Sequence, residues 1–271
     1  MYPNAKITVL CKTTPGRDII EASCLSIDKI MVLNVYKNLY STYKIILELR
    51  REKFDIGIST AITPVNKSRL FMKLCGVKKH IGFQASGTNK YDYDIHFVEA
   101  NVKTLGLEFS DKLKPQLYVD SDSDEFVESY FKMLEKTKPI IGLCIGNADP
   151  SLINRWLRTG RVFPRAWGII RMHNLLELLV KDGYQIVLIG GPQEIPLLEK
   201  LVEFLKLPQV INLVGKCSIK QSIAAIKRCT CSIGIDTGMQ HIAGALSVPT
   251  ISIFGPTNPK NHGAFSTCSS F

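Results

Sequence analysis

Thr230-Cys-Ser-Ile-Gly-Ile235, then Asp236-Thr-Gly-Met-Gln-His-Ile-Ala-Gly-Ala-Leu246, then Thr250-Ile-Ser-Ile-Phe254: this stretch decides the fold. The first run is short and apolar, bounded by polar residues, and predicts a strand over 230–235. A Thr-Gly pair follows, and Met239–Leu246 reads as a helix. The third run predicts a strand over 250–254. A strand, a helix and a second strand without a hairpin turn imply a right-handed crossover and a parallel sheet.

The same alternation runs outward in both directions. Upstream in the second half, strands are expected at 139–145, 185–189 and 210–213. Helices are expected at 124–136, 166–181, 195–205 and 219–228. The first half predicts strands at 5–11, 29–34, 54–59 and 79–83. Its helices are expected at 39–53, from Thr63-Pro64 to Gly76, and at 95–107. The stretch 110–124, with Pro115 and the cluster Asp120-Ser-Asp-Ser-Asp124, reads as the link. The expectation is α/β, two Rossmann-like domains, 1–124 and 125–271. A chain of 271 residues is long enough for two cores of about 100–150 residues each.

Composition narrows the partners. The net charge is +10, which suits phosphorylated substrates, nucleic acid or an acidic membrane face. Between Asp55 and Asp92 there is no acidic residue, and Lys67, Arg69, Lys73, Lys78, Lys79 and Lys90 lie there. Between Asp149 and Glu177 there is again none, and Arg155, Arg158, Arg161, Arg165 and Arg171 fall inside. These read as basic lips around an anionic ligand or as solvated surface. No apolar run reaches the roughly 18–20 residues of a spanning helix. No signal peptide is visible, so a cytoplasmic protein is expected. Eight cysteines form no CxxC pair and read as reduced thiols, and no metal site is expected. No reader motif or stacking pattern points to nucleic acid.

Three loops fall at the carboxyl ends of predicted parallel strands, the edge where such sheets bind ligands. The first follows Ile145 and contains Asn147. The second is Gly190-Gly-Pro-Gln-Glu194: two glycines admit a ligand close to the backbone, and Glu194 can hold a ribose hydroxyl pair. The third is Asp236-Thr237-Gly238, opening the helix that carries Met239 and His241. Its backbone N–H groups and positive dipole end suit a phosphate. Asp236 or Thr237 as a plain helix cap, with His241 packed, remains the alternative.

The segment Ile235–Pro259 closely resembles the signature of glycosyltransferase family 9, roughly D-[TS]-G-x-x-H-x-A-A-A-L-x-x-P-x-x-x-x-[FY]-G-P-T-x-P. Only Gly244 departs, mildly. Gly190–Glu194 resembles the family's second nucleotide loop, and Arg161-Val-Phe-Pro164 its K-R-W-P element with arginine for lysine. Gly76–Phe83 and His96–Gly106 are similar to segments of its first domain. The resemblance implies a GT-B fold: an acceptor-side domain over 1–124 and a nucleotide-sugar domain over 125–271, facing across a cleft. It implies inverting transfer of a sugar, heptose from ADP-heptose, to a lipopolysaccharide core or related envelope glycan. Asp236, Thr237, Gly238 and His241 would hold the donor's diphosphate and sugar, Glu194 its ribose, and Arg161 the charge near the leaving group. The donor is a substrate, and no separate cofactor is expected. The implied partners are that donor and an anionic glycolipid acceptor, with peripheral contact at the inner membrane face.

The pattern departs at the start. The family's first strand and its Gly-Asp loop precede the equivalent of Pro3–Val9, so the first βα unit is expected to be missing, and with it the aspartate presumed to be the general base. Asp18, in Pro15-Gly-Arg-Asp18, is the candidate substitute, and a helix-start aspartate the plainer reading. An inactive or non-catalytic nucleotide-sugar binder is therefore the alternative function, and a nucleotide-sugar epimerase a third.

Overall fold

The computed structural model describes residues 4–23, 26–33, 39–60, 65–82, 95–110, 113, 115–146, 167–265 and 269–270. They divide into two compact units, one formed by residues up to 21 and from 26 to 113, the other by 22–23 and 115 onward. The division thus lies at 113/114 rather than at 124/125. The reason is helix Ser121–Phe131, whose Val127 and Phe131 are buried in the core of the second unit.

In the first unit, strand β1 (Thr8–Cys11) leads into helix α1 (Thr14–Glu21) and strand β2 (Lys29–Val32), which pairs parallel with β1. Helix α2 (Leu39–Arg51), strand β3 (Ile56–Ser59), helix α3 (Val65–Leu74) and strand β4 (Lys79–Gly82) follow, β3 and β4 again parallel. Helix α4 (Phe97–Thr104) closes the unit, capped by the His96 side chain accepting from the Val98 N–H at 3.2 Å. Met31, Leu49 and Cys75 form its buried centre, with Ile45, Ile46, Phe71 and Val77 packed around them. Helix α1 opens at Thr14, so Asp18 lies inside a helix rather than at the start of one.

The second unit holds α5 (Ser121–Phe131), β5 (Ile140–Cys144), α6 (Ile169–Lys181), β6 (Gln185–Ile189), a 3-10 turn over Pro192–Glu194 running into α7 (Ile195–Leu198), β7 (Val210–Asn212), α8 (Ile219–Lys227), β8 (Cys231–Ile235), α9 (Gly238–Ala245), β9 (Thr250–Ile253), α10 (Pro259–His262) and β10 (Ser269–Ser270). Its six strands lie in the order β10-β9-β8-β5-β6-β7, all parallel. The expected helix over 195–205 is shorter. Beyond Leu198 the chain winds on 3-10-type bonds, Lys200 to Leu197 and Leu201 to Leu198, so that Leu197, Leu201 and Phe204 all reach the core.

Strands β5, β6 and β8 are almost wholly buried, as a parallel sheet covered on both faces requires. One face carries Leu143, Ile186 and Leu188 against Met172 and Leu176 of α6. The other carries Cys144, Val187 and Ile189 against Ile223 and Ile226 of α8 and Ile242 of α9. Two polar clamps fix the frame. Buried Gln185 accepts from the Glu135 N–H at 2.6 Å and donates to the carbonyls of Glu135 (2.8 Å) and Lys138 (3.2 Å). Arg228, just past α8, ties to α5 through Asp124 (2.9 Å) and Glu128.

A third polar contact lies between sheet and helix. Gln240 of α9, 2% exposed, donates to Ser232 Oγ on β8 (3.2 Å) and accepts from Ser252 Oγ on β9 (3.3 Å). It fits because Gly234 has no side chain: a Cβ there would stand 2.5 Å from Gln240 Nε2 and 2.8 Å from Cys144 Cβ. Gly234→Ala is expected to cost about 1–3 kcal/mol, read as a lowered urea midpoint with an unchanged slope.

Candidate functional site

Chain connections leave β5 in opposite directions: β6 and β7 are added on one side, β8 and β9 on the other. The carboxyl edge between β5 and β8 is therefore a topological switch point, the place where open parallel sheets form their ligand crevice. The ends of β6 and β8, either side of β5, are about 10 Å apart at the usual strand spacing. Two of the three predicted loops stand there in full, and the third as far as Gly146. Asn147 and Arg161 lie outside the described residues.

On the β8 side, Thr237 is the residue before α9, with extended backbone (φ −143°, ψ 167°), and its side chain makes no capping bond. Its hydroxyl oxygen is buried and has no hydrogen-bond partner among the described residues. Asp236 is not a cap either: it accepts from Thr257 Oγ1 at 2.7 Å. Gly238 is exposed, and a Cβ there would meet nothing within 4 Å. Met239 and His241 are half-buried in the first turn of α9. The plain-cap reading therefore fails for both side chains. What is left is a helix start aimed at the crevice edge, with a hydroxyl in need of a partner. A buried hydroxyl without a partner costs about 1–3 kcal/mol, and an anionic oxygen at this spot would relieve it.

On the β6 side, Glu194 is buried at 2% exposure and its Oε2 accepts the Gly191 N–H at 2.5 Å. Glycines surround it. A Cβ on Gly146 would stand 2.5 Å from its Cγ, and one on Gly191 3.2 Å from Oε2. The carboxylate is thus enclosed by loops from two strands. Burial pushes its pKa above the ordinary carboxylate value, partly offset by the Gly191 N–H.

Sequence reasoning missed Gln240 and Thr257 as supports of this edge. Both lie inside the 235–259 segment, but their partners Ser232, Ser252 and Asp236 are set by the sheet order. Asp18, the candidate base, sits in α1 and pairs with Arg17 at 3.3 Å. Among the described residues no group of three or more His, Cys, Asp or Glu could hold a metal ion. The six described cysteines are free thiols; burial holds those of Cys75 and Cys217 near 11 and that of Cys144 near 12.

The model of the family described as glycosyltransferase family 9 (heptosyltransferase) matches residues 42–269. The chain belongs to glycosyltransferase family 9. Among relatives, the lipooligosaccharide heptosyltransferase 2 of Haemophilus influenzae is 30% identical over 156 residues, 55% of this chain and 41% of that protein. The chain thus matches about two fifths of that relative's length. Among solved structures, a family 9 glycosyltransferase from Veillonella parvula aligns with a TM-score of 0.78 at 18% identity, over 99% of this chain and 78% of that one. The E. coli ADP-heptose lipopolysaccharide heptosyltransferase II aligns at 0.72 with 21% identity, over 99% and 81%. These two likenesses establish the fold, and with it the expected GT-B class. The family 9 match takes in both crevice loops, Gly190–Glu194 and Asp236–His241.

The raised pKa of Glu194 has a signed consequence. The folded chain binds this proton more tightly than the unfolded chain, whose value is near 4.5. Stability is therefore lost as pH rises from 4.5 through the higher folded value. Glu194→Gln cannot ionise. The stability of the variant relative to the native chain is expected to rise across that window and level above it, in urea titrations at a series of pH values.

Proposed function

We propose that this chain carries the donor half of a heptosyltransferase: it binds ADP-heptose at the β5/β8 crevice for inverting transfer to a lipopolysaccharide core sugar. The observation that carries the reading is the pairing of two unlike polar groups at one sheet edge. A helix start with an unpartnered Thr237 hydroxyl suits the diphosphate. A buried carboxylate one strand beyond β5 suits the ribose hydroxyls, about a nucleoside's length away. The family match and the names of the relatives support heptose as the sugar and a lipopolysaccharide core as the acceptor.

In this reading Thr237 Oγ1 and the first N–H groups of α9 meet the diphosphate oxygens, with His241 one turn along. As the bond from the sugar to the diphosphate breaks, charge grows on the departing ADP. Donors fixed in place stabilise that charge without rearranging. Asp236 is kept from turning its carboxylate on the diphosphate by the Thr257 hydroxyl. Arg161 is the expected cation near the leaving group. The acceptor hydroxyl must lose a proton to a base within hydrogen-bond reach, the role first considered for Asp18.

The direct test is incubation with ADP-heptose and a heptose-terminated core acceptor, with mass analysis of the product. One added heptose and release of ADP are expected. ADP binding without product would support the non-catalytic alternative, and no response to any nucleotide sugar would sink both. Thr237→Val separates binding from structure. Removing the hydroxyl is expected to weaken ADP about tenfold, the worth of one hydrogen bond to a charged group. The same change should leave stability equal or higher, because a buried unpaired hydroxyl is lost. A variant less stable with unaltered ADP affinity would place the hydroxyl in the fold and not in the site.

A further inference from the structure

Among the described residues Glu194 is the one buried acid. Its Oε2 accepts the Gly191 N–H, and its Oε1 accepts from no group among those residues. No cation pairs with it there. The groups around it are few. Cys144 and Gly146 approach from the end of β5. Gly190, Gly191 and Gln193 belong to its own loop, and Val214 stands across Gly190 from beyond β7. Of these only Cys144 titrates, and burial pushes its thiol up to about 12, so it stays neutral. A carboxyl in such a place gives up water on ionising and gains no positive neighbour in return. Burial favours its acid form, against the pull of the Gly191 N–H and its own.

A ribose alters that balance. Its two vicinal hydroxyls are donors. An ionised carboxylate only accepts, whereas the acid form keeps a proton of its own on one oxygen. Hydrogen bonds to the ionised form are also the stronger ones. Two hydroxyls at Glu194 therefore return to the ion the solvation that its enclosure withholds, and draw the group toward ionisation.

We infer that nucleotide binding at this edge is proton-linked: in mildly acidic solution Glu194 stands as the acid in the chain alone, and it gives up its proton when a ribose diol bonds to it. The proton passes to the solvent, and the carboxylate stays with the two hydroxyls. The inference rests on the donor reading and adds a regulation to it. Acidification loosens the nucleotide, and a nucleotide lacking one hydroxyl feels the effect less. Affinity is full above the acid value of the chain alone and is lost as pH falls through it.

The test is titration calorimetry of the full chain with ADP, from pH 4.5, the ordinary carboxylate value, upward. Each pH is run in two buffers of unlike ionisation enthalpy, which counts the protons released. ADP has titrating groups of its own, so the quantity read is the difference between the native chain and Glu194→Gln. Within the window the native chain is expected to release up to about one proton more per nucleotide. Its affinity relative to the variant should rise by up to about tenfold per pH unit and then level. With 2′-deoxy-ADP, which keeps the phosphates and the base, the native chain should release fewer protons than with ADP. That second comparison stands even where the variant fails to fold. Equal proton release by the native chain with ADP and 2′-deoxy-ADP, or by native chain and variant while both bind ADP, overturns the proton linkage and leaves the donor reading in place. A native chain that binds no ADP at any pH overturns both.

Discussion

The contact between Gln240 and the bare backbone of Gly234 holds the start of α9 against the sheet, and the candidate site depends on it. A helix N-terminus attracts an anion only where its first N–H groups point at the ligand. Here the orientation is fixed within the first turn itself, by the Gln240 amide held between Ser232 of β8 and Ser252 of β9. A buried amide bonded through both its nitrogen and its oxygen fixes direction as well as depth, which a leucine in the same place would not. The helix start is thus set by strands β8 and β9, and its loop can stay open to a ligand.

The same edge carries two groups kept in unfavourable states. Glu194 is an acid enclosed by glycine backbones, and Thr237 a hydroxyl buried without a partner. Each costs stability in the chain alone. They stand beyond the ends of strands either side of β5, and the donor reading proposed above gives the two costs one explanation: hydroxyl partners for Glu194 and phosphate oxygens for Thr237. Strain of this kind gathers at binding sites because the rest of the fold over-determines it.

Much of the architecture was legible in the sequence because a parallel sheet writes itself as short apolar runs between amphipathic ones. Strand 185–189 is observed at its expected bounds, and 250–253 is one residue shorter than expected. The start of helix α1 was not legible: Asp18 was read as a helix start, whereas the helix opens at Thr14 with Pro15 and Gly16 in its first turn. The 195–205 stretch was misread as one helix because its apolar spacing also satisfies a 3-10 winding. In the site, Glu194, Asp236 and Thr237 could be singled out as chemistry beside a predicted strand end. Their supports could not. Gln240 and Thr257 act on residues fixed by strand order, which no local spacing encodes. The domain division was displaced for a similar reason: Asp124 reads as linker until Arg228, far along the chain, is seen to bind it.

The central claim is that the loops after β6 and β8 form one nucleotide site. Amide hydrogen exchange, followed by mass spectrometry with and without ADP, tests it at the residues concerned. Slowed exchange is expected over 190–194 and 237–241 together, with helix 97–104 unchanged. Slowing at one loop without the other, or at neither, would contradict the account.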